Sequence, residues 1–110
     1  MNDFIDFLHE VFASFGPITA KKMFGGYGLY YDGLMFGLVS DDTLYLKADA
    51  ENAHYYQQLG LGKFEYLKGG KVMQIAYHLA PAEVMEDREE AAIWARRAYE
   101  AALRAHHSKR

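Results

Sequence analysis

The chain has 110 residues, 51% of them apolar, a net charge of -3 and no cysteine. That length supports one domain with a single core, and the composition excludes a disordered chain, disulfides and any thiolate nucleophile or metal site. The mild acidity argues against a general DNA binder, whose affinity rests on neutralising phosphates.

In chain order, the opening MNDFIDFLHE carries acids and no long apolar run follows it, so neither a secretion signal nor a membrane span is expected. With zero cysteine, the cytoplasm is the default. Phe4, Leu8, Val11, Phe12 and Phe15 fall at helical spacing and predict a helix over residues 3–15, ended by Gly16-Pro17. Residues 18–24 predict a first strand. Residues 27–31, 34–39 and 43–47 predict a meander, with Asp32-Gly33 and Asp41-Asp42 at its turns. Period-two alternation puts Leu44 and Leu46 on one face, Tyr45 and Lys47 on the other.

Residues 50–59 predict a second helix, with Asp49 as N-cap and Asn52 where a full capping box has an acid. A second hairpin joins residues 64–67 and 72–77 through Lys68-Gly69-Gly70-Lys71. Pro81 opens a helical stretch, and Asp87 with Glu90 predicts the start of a long final helix. Its acids come early and its bases late, which complements the helix dipole. Ala91, Trp94, Ala95, Ala98 and Ala102 form a small-residue stripe able to lie close on a sheet. Residues 106–110 are expected to be a flexible tail. The order, helix, three or four strands, helix, two strands, helix, gives an α+β fold: an antiparallel sheet with flanking helices in a two-layer sandwich, one domain over residues 1–110.

Chemistry is sparse. Gly25-Gly26-Tyr27-Gly28 is followed by a strand where a phosphate loop needs a helix N-terminus, so it is expected to be a bulge or sharp bend. Gly37, inside a strand, suggests a bulge or a close backbone approach. Asp32, Asp41 and Asp42 serve turns. The histidines lack metal-ligand spacing, and no serine sits in Gly-x-Ser-x-Gly. No catalytic residue, metal or cofactor is expected.

The tyrosines exceed what one small core hides. Tyr27, Tyr31, Tyr45 and Tyr66, with Lys22 and Lys47, are the candidate partner-binding residues. For Tyr31, Tyr45 and Tyr66 a core-edge ring with its hydroxyl in water is an equal alternative. Lysines concentrate in the sheet region and acids in the helices; charge on sheet edges guards against aggregation, and direct nucleic-acid binding is the lesser expectation. A small-molecule pocket or enzyme site between the sheet and the final helix, near Tyr77, His78 and Trp94, is the alternative function.

Lys21-Lys22-Met23-Phe24-Gly25-Gly26-Tyr27-Gly28 resembles the N-terminal domain of the TfoX/Sxy family of competence regulators. The likeness continues through Asp32-Gly33, Met35-Phe36-Gly37, Asp41-Asp42 and Leu44-Tyr45-Leu46-Lys47. It resumes at Phe64-x-Tyr66, at Tyr77-x-x-x-Pro81-x-Glu83 and at Trp94 with its alanine-rich helix. The resemblance implies a helix-flanked antiparallel sheet similar to secretion-chaperone folds. It implies a non-enzymatic role in transcription regulation, as a co-activator working with the cyclic-AMP receptor protein at competence promoters. It brings no catalytic residues. Full-length members have a second, helical domain, so a stand-alone domain is expected here. A protein partner is expected, and a homodimer through a sheet edge or the alanine stripe.

Overall fold

A computed structural model of the chain describes residues 2–23 and 25–108. Helix α1 (Asp3–Val11) starts where Asn2 Oδ1 accepts hydrogen bonds from the amides of Phe4 and Ile5, at 2.9 and 3.2 Å. It ends four residues short of the stretch predicted from spacing. Phe12 and Phe15 are buried all the same, because the chain turns tightly there, the Gly16 amide donating to the Phe12 carbonyl at 3.0 Å. A turn that keeps burying its apolar residues reads as helix in the sequence.

Four strands follow: β1 (Thr19–Met23), β2 (Gly26–Tyr31), β3 (Leu34–Ser40) and β4 (Thr43–Lys47). The predicted first strand also took in Phe24, which lies outside the described residues. Both meander turns hold positive φ at their two central residues, 48° and 82° at Asp32-Gly33 and 53° at each of Asp41 and Asp42. That is the backbone a two-residue hairpin requires, and Asp tolerates it better than most side chains. A bulge interrupts the β2–β3 ladder: Leu29 pairs with Gly37 but Tyr30 with Met35, so Phe36 has no partner opposite.

Helix α2 (Ala53–Gln57) is shorter than predicted because residues 50–52 form its entry turn. Asp49 Oδ1 accepts from the Glu51 and Asn52 amides, and Asn52 Oδ1 accepts from the Asp49 amide at 2.8 Å. The pair is a capping box in which the amide side chain does the acid's work. Strands β5 (Lys63–Lys68) and β6 (Lys71–Leu79) make the second hairpin. A single-turn α3 (Glu83–Glu86) precedes α4 (Arg88–Ser108). Asp87 Oδ1 caps α4 by accepting from the amides of Glu89 and Glu90. The helix runs to Ser108, so residues 106–108 are helical rather than tail; Lys109 and Arg110 lie outside the described residues.

All six strands form one antiparallel sheet in the order β1-β2-β3-β4-β6-β5. The architecture is α+β, with the core on one face of the sheet. Leu29, Val39, Leu44 and Leu46 point from the strands into a cluster with Leu8 and Phe12 of the first helical segment and Ala91, Trp94, Ala95 and Ala98 of α4. The alanines let α4 lie directly on β3 and β4. Phe12 meets Phe36 edge-on, centroids 5.6 Å apart, a geometry worth about 0.5–1.5 kcal/mol beyond the area buried. Among the described residues, no helix lies on the opposite face.

Candidate functional site

Cross-strand partners share a face. The register therefore places Gly28, Leu38 and Tyr45 together on the helix-free face, with Lys47 and Tyr77 beside them. Lys21, Met23, Tyr30 and Met35 extend that face across β1–β3. Phe64, Tyr66, Met73 and Ile75 extend it across β5–β6.

The sheet curls toward this face. Met23 and Gly26 at one side, and Phe64, Tyr66, Lys68 and Ile75 at the other, line a common groove of about 570 Å³ over Met35 and Leu38. Tyr45 packs edge-on against Phe64, centroids 4.9 Å apart, and Phe64 is in turn stacked near Tyr66 at 6.2 Å. The Tyr77 hydroxyl donates to the Met35 carbonyl at 3.4 Å, bridging two strands that are not neighbours. Only 8% of Tyr77 is exposed, although no helix covers it. Burial, with Tyr30 nearby, pushes its phenol well up, so it stays a neutral donor. Cations stand over the rings: Lys21 over Tyr30 at 4.8 Å and Lys47 over Tyr77 at 5.1 Å.

Of the predicted contact residues, the structure brings Tyr45, Tyr66 and Lys47 together on this face. Tyr27, Tyr31 and Lys22 belong to the other. Tyr27 pairs with Lys22 and with Val39, and lines a shallow cleft beside Ile5 and His9 of α1. Tyr31 packs on Phe15 at 4.5 Å and edge-on to Tyr99 at 4.9 Å, so it closes one end of the core.

The proposed pocket residues also separate. Tyr77 faces the open side, whereas its neighbour His78 points into the helix layer, stacked on Tyr56 with centroids 5.0 Å apart. Trp94 lies against the same Tyr56 ring at 5.1 Å. Tyr56, fully buried, fills the space where the pocket was expected between sheet and final helix. His78 is anchored through Nδ1 to the Leu61 carbonyl at 2.8 Å. Among the described residues, no three His, Asp or Glu side chains are grouped to hold a metal ion. No described helix is long and apolar enough to cross a membrane.

The defining sequence pattern of the TfoX N-terminal domain matches residues 10–102. The chain belongs to that family. It is 32% identical over 74 residues to the DNA transformation protein TfoX1 of Aliivibrio fischeri, covering 64% of this chain and 35% of that one. It is 33% identical over 69 residues to the protein Sxy of Escherichia coli, covering 63% of this chain and 33% of that one. The chain thus matches about a third of the length of these family relatives.

Sequence reasoning missed Asn52 as a structural keystone. Its amide nitrogen donates to the carbonyls of Lys47 and Arg97, at 3.3 and 3.2 Å, tying the end of β4 to the middle of α4. An amide at a capping position signals only the local bond. The groove was missed because it is lined by residues of both ends of the sheet, which no local pattern connects.

Proposed function

We propose that this domain is a regulatory, protein-binding module of the competence type, acting in the cytoplasm as a transcription co-regulator and not as an enzyme. The observation that carries the reading is the open sheet face of a TfoX N-terminal domain, an apolar and aromatic surface with half-exposed rings. A face that holds Tyr45, Phe64, Tyr66 and three methionines offers large contact area at low rotamer cost, as protein interfaces do. The relative named for DNA transformation supports the competence context.

The test is deletion and complementation in the host. The reading predicts that deletion lowers transformation frequency and competence-gene transcripts together, and that wild-type protein restores both. Unchanged transcripts on deletion would contradict it. The groove volume supports a second reading, a small apolar ligand; a thermal-shift screen separates the two, since a ligand of the native state raises stability.

A further inference from the structure

Among the described residues, the strand positions on the open face carry charges of one sign only. The strands contain a single acid, Glu65, and it lies on the other face, where its carboxylate accepts from Gln74 Nε2 at 2.8 Å. The ionised side chains at open-face positions are Lys21, Lys47, Lys68 and Lys71, the last two paired across the hairpin end. The whole chain is net acidic at -3. Its other acids lie in the helices, their entry loops and the hairpin turns, so the strand positions of the open face are positive on a negative molecule.

From this charge arrangement we infer that the groove binds an acidic amphipathic segment of a partner protein, in which large apolar side chains alternate with Asp or Glu. The inference rests on the protein-binding reading above and names its surface and its partner's chemistry. The apolar side chains enter between Met23, Met35, Phe64 and Tyr66; the carboxylates meet the lysines at the rim. Methionine supports this use, because its unbranched thioether repacks around varied shapes. Tyr66 and Met73 are each 39% exposed and continue the apolar surface past the groove.

A nucleic acid would also be attracted to lysines among aromatics. One feature favours a peptide: the floor is apolar, made of Met35 and Leu38, and suits side chains better than a phosphate backbone.

The experiment titrates the isotope-labelled domain with a synthetic peptide alternating glutamate with leucine and phenylalanine. Amide shifts clustering on Met23, Met35, Tyr66 and Lys68 are expected. The double variant Lys68→Glu with Lys71→Glu should weaken binding about tenfold or more, and added salt should weaken it in the wild type. Lys63→Glu with Arg96→Glu, an equal charge change away from the groove, should leave affinity within about twofold. Absent binding, shifts confined to the helix layer, tighter binding of a single-stranded oligonucleotide, or self-association that consumes the same face would each overturn the inference. The same double variant is scored for transformation. Full transformation with peptide binding lost refutes the groove and leaves the regulatory reading standing; no effect of whole-gene deletion refutes that reading while the peptide result stands on its own.

Discussion

Arg104 holds Asp49 by two parallel bonds, Nε donating to Oδ2 at 2.6 Å and Nη2 to Oδ1 at 3.0 Å. The fork joins the last turns of α4 to the loop after β4. Asp49 also caps the turn that leads into α2, so one carboxylate ties that turn and α4 together at the end of β4. The Arg104 bond is the main cause that holds its carboxyl below the ordinary carboxylate range. Both side chains are partly solvated, which limits the strength of the pair.

Arg104→Ala is therefore expected to cost about 1 kcal/mol at neutral pH, measured by urea denaturation. The sign with pH follows from the lowered native value. The contribution is fully present above the unfolded-state carboxylate value and is lost as pH falls through the native one. The stability difference between wild type and Asp49→Asn should accordingly shrink on acidification through that window. A difference that grows in acid would contradict the assignment.

Tyr56 is fully buried between His78 and Trp94, and its hydroxyl has no hydrogen-bond partner among the described residues. Burial pushes its phenol well up, so it remains neutral. An unsatisfied buried hydroxyl costs desolvation with no return. Tyr56→Phe is expected to leave the urea midpoint unchanged or raise it, while Tyr56→Ala should cost about 3 kcal/mol or more through the cavity. A loss above about 1 kcal/mol for the phenylalanine variant would reveal a partner for the hydroxyl.

A Cβ at Gly26 would collide with the Val39 carbonyl oxygen, a backbone atom that no rotamer change moves away. Gly26→Ala should cost about 2 kcal/mol or more and move the β2 edge of the groove. Gly62, whose missing Cβ faces open space at ordinary φ, should accept alanine with a change within about 0.5 kcal/mol. Thermal melts of the two variants make the comparison.

The aromatic residues divide by face. Tyr31→Ala removes a ring packed on Phe15 and Tyr99 and should cost about 2 kcal/mol. Tyr66→Ala, at a 39% exposed position, should change stability by no more than about 0.5 kcal/mol. Equal losses at the two sites would contradict the division.

Much of the fold was legible because its signals are local. Asp32-Gly33, Asp41-Asp42 and Gly69-Gly70 each hold the positive φ that their hairpins need, and Asp87 caps α4 as its spacing suggested. The family resemblance at Lys21-Lys22-Met23 and beyond agrees with the match over residues 10–102. The insertion of β6 between β4 and β5 was not legible, because strand order depends on how the hairpin docks. The site was half legible for the same reason. Alternation puts Tyr45 with Lys47 and separates Tyr77 from His78, yet it cannot say which face the helices cover. That is decided by the alanines of α4 and by Leu8 and Phe12, and it sends Tyr31 inward and leaves Tyr66 out.

The most direct test of the central claim is photocrosslinking in the host, with a benzophenone amino acid at position 66 on the open face or at position 93 on α4, where Ile93 is 44% exposed. A protein adduct formed at position 66, resistant to nuclease and absent at position 93, is the predicted result. Adducts at position 93 alone, or a position-66 adduct that nuclease removes, would contradict a protein-binding role for the open sheet face.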